Sequence, residues 1–317
     1  MKIPRVSPSE PTPLTAGNDV KQGIEFTGIN SLTVDVEEYF QVGGLENSID
    51  RSDWDKIAGR LNAPVEKLLG LLEKYRARAT FFTLGWVGER YPKLIRSIVN
   101  AGHEIASHGY DHKRVFIMTA EDFHQDLERS RKILEDATGQ AVTGYRAPNF
   151  SIGYDNAWAW QVLEDAGYHY SSSVIPVSHD HYGDLRAPRF AHSPPGCSRL
   201  VEIPVSTVCF CRRNIAIGGG FFRLYPFWWS KKVIRRVNTH DRQAVIFYTH
   251  PWEFDPDQPK VSNAPLRSRF RHYVGLKGMA GKLEKLLQIG QWDRLDRLYH
   301  SRLCEQNKDL EHVRSVD

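Results

Sequence analysis

Gly102-His103-Glu104-Ile105-Ala106-Ser107-His108-Gly109-Tyr110-Asp111-His112 is a short strand pattern that runs directly into two histidines four residues apart. Two imidazoles so spaced can close on one metal ion if a carboxylate from elsewhere supplies a third ligand. Upstream, Ser31-Leu32-Thr33-Val34-Asp35-Val36-Glu37-Glu38 is an alternating apolar run ending in acids. It reads as a buried strand that delivers Asp35 and Glu37 from one face. A histidine pair alone has a plain alternative, since 13 histidines in 317 residues will place some pair at this spacing on the surface. The strand in front changes the balance, because β/α barrels build their sites where strands end. Two same-side carboxylates with a His pair suggest metal-assisted hydrolysis.

Outward from these stretches, strand and helix patterns alternate. Val65, Leu68, Leu69 and Leu72 space a helix over Ala63 to Tyr75, and Ala79 to Leu84 reads as the next strand. Pro92 to Asn100 is a short helix packing through Leu94, Ile95 and Ile98. Thr119 with Asp122 forms a capping-box start for a helix carrying Phe123, Leu127 and Leu134 that ends near Gly139. Thr143 to Phe150 approaches as a strand and ends in Arg146 and a Pro-fixed turn, and Asp155 to Ala166 is a helix with Trp158 and Val162 as core positions. Ala244 to Glu253 is an apolar strand ending at His250. Repeated strand, helix, strand units imply parallel pairing with right-handed crossovers, hence an α/β barrel whose strand tips share one rim.

Between Leu185 and Trp229 the alternation breaks. Glu202 to Ser206 is strand-like, and Gly218-Gly219-Gly220 lets the backbone come very close to something. The glycines fit a tight turn, or, with Phe221, Phe222, Arg223 and Tyr225 behind them, a loop over the barrel mouth. Leu283, Leu286 and Leu287 mark a packed C-terminal helix. The domain plan is a Pro-rich flexible tail over 1–27, a barrel over 28–275 and a helical extension over 276–317 packed on the barrel.

Composition fits a globular enzyme, with 41% hydrophobic and 25% charged residues. A net charge of +4 with dispersed Lys and Arg argues against nucleic acid as a partner. Met1 to Gly23 has no apolar core of an export signal, and no apolar run approaches the roughly 18 residues of a membrane span. Cys197, Cys209, Cys211 and Cys304 make neither a Cys-x-x-Cys pair nor a disulfide framework, which reads as reduced thiols in the cytoplasm. Cys209 and Cys211 are expected on a packed strand face.

Four stretches in order carry a resemblance. Thr33-Val34-Asp35-Val36-Glu37, His108 to His112, Arg146-Ala147-Pro148 and Tyr248-Thr249-His250 resemble the successive motifs of the polysaccharide deacetylases, the carbohydrate esterases that share the NodB homology domain. Asp35 to Val42, Arg146 to Ile152, Gly218 to Pro226, His250 to Asp255 and Ser268 to Tyr273 look like the subfamily found in exopolysaccharide loci associated with exosortase and PEP-CTERM systems.

The resemblance implies an irregular (β/α) barrel of about seven strands. It also implies a divalent metal ion, zinc first, with cobalt, nickel or manganese as alternatives, held by Glu37, His108 and His112. Asp35 is then the general base, Arg146 its partner, the backbone N–H at Asn149 the oxyanion donor and His250 the acid for the departing amine. Phe150, Gly220, Arg223, Tyr225 and Trp252 are the expected substrate contacts. Two departures stand out. Most of the family has adjacent Asp residues in the first motif, whereas here Val36 intervenes and Glu37 follows, with Glu38 as the fallback ligand. Close relatives carry Asp at the position of Ser171, where it would hold the acid; Asp180, Glu253 or Asp255 are the substitutes.

The expected activity is removal of N-acetyl groups from amino-sugar residues of a polysaccharide or its precursor, with release of acetate. The expected partners are an N-acetylated oligo- or polysaccharide and the exopolysaccharide synthesis machinery. The alternatives are a related metal-dependent C–N hydrolase acting on a small amide or imide, and a non-catalytic glycan-binding protein on a decayed barrel.

Overall fold

The computed structural model describes residues 26–178, 183–211 and 213–304. Residues 1–25 of the expected tail, Asp180 and residues 305–317 lie outside the described residues. Strand β1 (Ile29–Val36) shows how the alternating pattern is used. Leu32, Val34 and Val36 are wholly buried against the surrounding helices, while the period of two turns Thr33 and Asp35 to the other face. Burying each of the three apolar side chains stabilises the fold by about 1.5–3 kcal/mol.

The chain continues through α1 (Asn62–Lys74), β2 (Ala79–Thr83), α2 (Gly85–Arg90), α3 (Pro92–Asn100) and β3 (Glu104–Ser107). Then come α4 (Ala120–Thr138), β4 (Gly144–Tyr145), α5 (Trp158–Asp165), β5 (Tyr170–Ser171) and β6 (Val201–Glu202). Helix α4 has the expected capping box at Thr119 and ends at Gly139 in the left-handed region. In α5 the buried residues are Ala159, Trp160, Leu163 and Glu164, with Trp158 half-buried against Phe123.

After β6 the alternation gives way to an antiparallel hairpin of β7 (Thr207–Phe210) and β8 (Arg213–Ala216). Cys209 and Cys211 are exposed at its tip, not on a packed face, because the strand turns there and Cys211 takes a φ of 48°. Helices α6 (Gly219–Leu224) and α7 (Phe227–Thr239), strand β9 (Ile246–Thr249), and helices α8 (Leu266–Tyr273) and α9 (Met279–Leu287) follow. The segment after residue 276 is not helical throughout: β10 (Gln291–Asp293) enters the sheet before α10 (Leu295–Leu298).

The main sheet runs β9-β1-β2-β3-β4-β5-β6, with every pairing parallel, and β10 lies beside the first residues of β1. Beyond β6 the chain curls back to β9, where the Ser206 N–H donates to the Ile246 carbonyl at 3.0 Å and Ile246 N–H donates to Ser206 Oγ at 2.8 Å. Alternation divides the apolar residues into an outer layer under the helices, including Phe81 and Phe247, and an inner cluster including Phe82, Tyr170, Val201 and Tyr248.

Register then decides where chemistry is placed. Val36 pairs with Thr83, Thr83 with Ser107, Ser107 with Tyr145 and Tyr145 with Ser171. The next residues along these strands, Glu37, His108, Arg146 and Ser172, therefore share one rim. Pairing of Val34 with Thr249 sets Asp35 level with His250.

Candidate active site at the strand tips

Arg146 is completely buried, and its guanidinium is fully directed. Nη1 donates to Asp35 Oδ1 at 2.6 Å and to Thr33 Oγ1 at 2.8 Å; Nε donates to the Ser172 carbonyl at 3.0 Å and Nη2 to Ser172 Oγ at 2.9 Å. Asp35 is thereby held in place beside a permanent cation, positioned as a proton acceptor must be.

Next to it, ligand atoms of Glu37, His108 and His112 all lie within 4.8 Å of one another, and all three residues are buried. His108 Nδ1 lies 2.8 Å from the Arg146 carbonyl. A carbonyl only accepts, so Nδ1 carries the proton and Nε2 keeps its lone pair. Burial, stronger than the pull of Asp35, lowers the His108 pKa to about 4 and keeps the ring neutral. Burial acts to raise Glu37, but His112, His250 and His108 outweigh it and bring the carboxyl down to about 2. Glu37 Oε2 is 2.8 Å from His112 Nε2, yet the geometry is not that of a hydrogen bond and this buried oxygen has no donor. Two imidazole nitrogens and an unsatisfied buried anionic oxygen facing one point form a donor set that fits a divalent cation. Glu38 points the other way, accepting from the Arg60 N–H at 2.8 Å and from the Tyr91 hydroxyl at 2.9 Å, which leaves Glu37 as the carboxylate of the cluster.

The loop carrying the histidines is held by protein alone. Gly85 and Trp86 N–H, at the start of α2, donate to the Gly109 and Tyr110 carbonyls at 2.8 and 3.0 Å. Arg51 reaches the Asp111 and His112 carbonyls at 3.0 and 3.1 Å. Gly109 turns the chain with a φ of 75°, a conformation glycine adopts without strain.

His250 faces this cluster, its Nε2 3.9 Å from Asp35 Oδ2 and 3.8 Å from Glu37 Oε1. Its other nitrogen is 3.7 Å from Glu253 Oε1, an ion-pair contact too long for a hydrogen bond. Burial would lower this imidazole, but Glu253 first, then Glu37 and Asp35, push it up to about 8. Trp252 stacks on the His250 ring and donates from Nε1 to Glu37 Oε1 at 3.1 Å. A cavity of about 490 Å³ opens over these groups, lined further by Gly43, Asn149, Phe150, Gly220, Phe221 and residues of α8.

Comparison with known proteins fits this geometry. Residues 54–171 match the profile of the polysaccharide deacetylase family. Over those residues, the chain is similar to that family. Residues 172–300 match a domain of unknown function (DUF3473). A peptidoglycan deacetylase of Helicobacter pylori is 39% identical over 105 residues, 33% of this chain and 35% of the relative. A peptidoglycan-N-acetylglucosamine deacetylase of Bacillus cereus is 30% identical over 94 residues, 30% of this chain and 34% of the relative. The chain thus spans about a third of the length of these curated relatives. A crystal structure of a Mycobacterium smegmatis protein described as a polysaccharide deacetylase superposes with a TM-score of 0.60 at 18% identity, covering 90% of this chain and 94% of the other. It shares the fold, a mostly parallel curled sheet clad in helices.

At Ser171, where the resemblance implied an Asp holding the acid, the hydroxyl instead donates to Ser173 Oγ at 2.8 Å. The acid beside His250 is Glu253. It is wholly buried, accepts from Arg223 Nε at 2.8 Å and bonds the Thr249 hydroxyl, and burial is outweighed by Arg223 and His250 so that its pKa falls to about 2. Asp255, the other substitute, pairs instead with Arg60.

The expected substrate contacts divide. Phe150, Gly220 and Trp252 line the cavity. Arg223 borders it, but its donors are taken by Glu253 and by the carbonyls of Arg271, His272 and Val274, so it holds Glu253 and α8 rather than a ligand. Tyr225 lies outside the cavity lining, stacked with Phe221 beyond the end of α6. The glycine run is neither a bare turn nor a loop: it starts α6, and Gly218 packs so tightly on Tyr248 that a Cβ would sit 2.6 Å from that residue. Asn149, expected to offer its backbone N–H, occupies the left-handed region (φ 55°) and lines the cavity; its side-chain Nδ2 is also buried without a partner. Sequence reasoning missed Arg51, Thr33 and Ser172 as supports, because their roles rest on contacts between distant segments.

Proposed function

We propose that this protein is a metal-dependent N-deacetylase that hydrolyses N-acetyl groups on amino-sugar residues of a polysaccharide or its precursor. The single observation that carries the reading is the gathering of Glu37, His108 and His112 around one point, with the Arg146-held Asp35 and His250 both beside it. A divalent cation bound by the three ligands, zinc by the chemistry of the donor set, would lower the pKa of water and polarise the acetyl carbonyl.

The remaining work falls to the chain's own groups. Asp35, held by Arg146, accepts a proton from the attacking water as the new C–O bond forms. The amide donor of Asn149 faces the oxygen on which negative charge develops. His250, kept protonated by Glu253, gives its proton to the nitrogen as the C–N bond breaks, so that amine rather than hydroxide departs. Acetate and a free amino sugar are the products.

The motif pattern of the DUF3473 segment supports extending the proposal to exopolysaccharide formation alongside its synthesis machinery. The four cysteines, all unpaired, support a reducing compartment such as the cytoplasm.

Acetate release from N-acetylated chito-oligosaccharides by the zinc- or cobalt-loaded full chain, abolished by a chelator and restored by metal, is the expected result. A protein that binds one equivalent of metal yet releases no acetate from any N-acetylated saccharide would refute it. Turnover of small amides or imides alone would move the assignment to the related C–N hydrolases.

A further inference from the structure

Most of the large apolar side chains that the described residues leave exposed fall in one part of the sequence. Of eight, Phe210, Leu224, Trp228, Leu266 and Phe270 belong to the hairpin tip and to α6, α7 and α8. Trp228 is 65% exposed, Phe270 60% and Leu266 80%, values at which water would ordinarily be met by polar groups. All but Leu266 are linked, through the cavity lining or through ring contacts. Leu224 and Phe270 line the catalytic cavity together with Phe221; Phe221 stacks with Tyr225, Tyr225 meets Trp229, and Trp229 touches both Trp228 and Phe210. The belt therefore starts at the cavity mouth and ends at the hairpin.

Charge follows the same path. Helix α7 carries Lys231, Lys232, Arg235 and Arg236 and no acid, and α8 carries Arg267, Arg269 and Arg271 and no acid. Seven positive charges on these two helices exceed the net +4 of the whole chain, so the rest of the molecule is net negative. None of the four cations of α7 forms a salt bridge among the described residues. Lys232, Arg235 and Arg236 share a groove with Phe210 and Trp229 between α7 and the hairpin.

We infer that this belt is a peripheral membrane-binding surface that lays the cavity mouth against an anionic lipid bilayer. Tryptophan and phenylalanine beside lysine and arginine on one surface match the water–lipid boundary, where rings enter the acyl edge and cations meet headgroups. Exposed aliphatic side chains, Leu224 and Leu266, separate this reading from a track for a sugar chain, because stacking on sugars uses aromatic faces alone. No described helix is long and apolar enough to cross a membrane, so attachment would be reversible and salt-sensitive. A cavity that opens onto lipid suits a substrate carried on a lipid anchor.

Flotation of the full chain with vesicles tests this without any turnover, so its failure is separate from failure of the deacetylase reading. At low salt the protein is expected to float with phosphatidylcholine vesicles containing phosphatidylglycerol and not with phosphatidylcholine alone. Charge reversal of Lys232, Arg235 and Arg236 to Glu should lower the bound fraction at least tenfold, roughly the scale of removing three headgroup contacts. Paired Phe210→Ser and Trp228→Ser, both at exposed positions, should weaken binding severalfold while soluble-substrate activity is kept. Absence of flotation with anionic vesicles at low salt would overturn the inference. So would unchanged flotation of both variants. Retention on an immobilised acidic polysaccharide without vesicle binding would also overturn it and reassign the belt to glycan.

Discussion

Replacing Glu253 with Gln removes the carboxylate that sits 3.7 Å from His250 Nδ1 while keeping its size and its capacity to bond Thr249. Two unit charges near this separation attract by about 1 kcal/mol in water and about 4 kcal/mol at the effective dielectric of a partly buried pair. Arg223, 2.8 Å from the same oxygen, offsets part of that attraction. The net loss is therefore about 1.5–3 kcal/mol, which converts to a fall of about 1–2 pH units at 1.36 kcal/mol per unit. The folded-state pKa of His250 is raised to about 8, and an anion favours imidazolium, so removing it moves the pKa down. A general acid works only when protonated, so the alkaline limb of the deacetylation profile should move to lower pH by the same amount. Nuclear magnetic resonance titration of the His250 ring in metal-free protein measures the shift directly, with circular dichroism confirming that the variant is folded. A His250 pKa within about 0.3 unit of wild type in folded Glu253→Gln, well below the 1–2 units expected, would refute Glu253 as the group that sets it.

Other outcomes follow from the same contacts. Glu37→Ala and either His108→Ala or His112→Ala should lose stoichiometric metal by elemental analysis, whereas Glu38→Ala keeps metal and loses about 1–3 kcal/mol of stability, because Arg60 N–H and Tyr91 lose a buried acceptor. Trp252→Phe removes the hydrogen bond to Glu37 and should weaken metal affinity about 10- to 100-fold in a competitive chelator titration. Asp35→Asn should retain metal and lose on the order of 10²- to 10⁴-fold in acetate release. Arg146→Met leaves Asp35 buried without its cation and should cost about 3–5 kcal/mol in urea unfolding.

The alternating run of β1 and the strand entering His108 were legible because period-two patterning states which side of a strand meets the helices, and so puts Asp35 and Glu37 on the other. Helix α4 was legible through its Thr119 cap and Gly139 stop, which are local. Strands β4, β5 and β6 are only two residues each, too short for a period, and their pairing is set by neighbours. The entry of β10 beside β1 depends on a contact across more than 260 residues. Glu253 was one of three candidate partners of His250, since only the 3-10 turn after Pro251 shows that the chain folds back upon the histidine. Arg223 and Tyr225 follow a glycine run that suggested a loop; nothing in their spacing shows that backbone carbonyls nearly 50 residues away would claim the guanidinium.

The histidine loop is secured by the first amides of α2 and by Arg51, with the ring of His108 fixed by a backbone carbonyl. Its shape is thus set when the chain folds, and no ion is required to assemble it. Zinc-finger domains behave in the opposite way, collapsing when stripped. Here an apoprotein obtained by dialysis should remain intact, accept a replacement ion without a refolding step, and permit one preparation to be reconstituted in turn with zinc, cobalt, nickel or manganese. Occupancy would then follow whichever ion the surroundings supply.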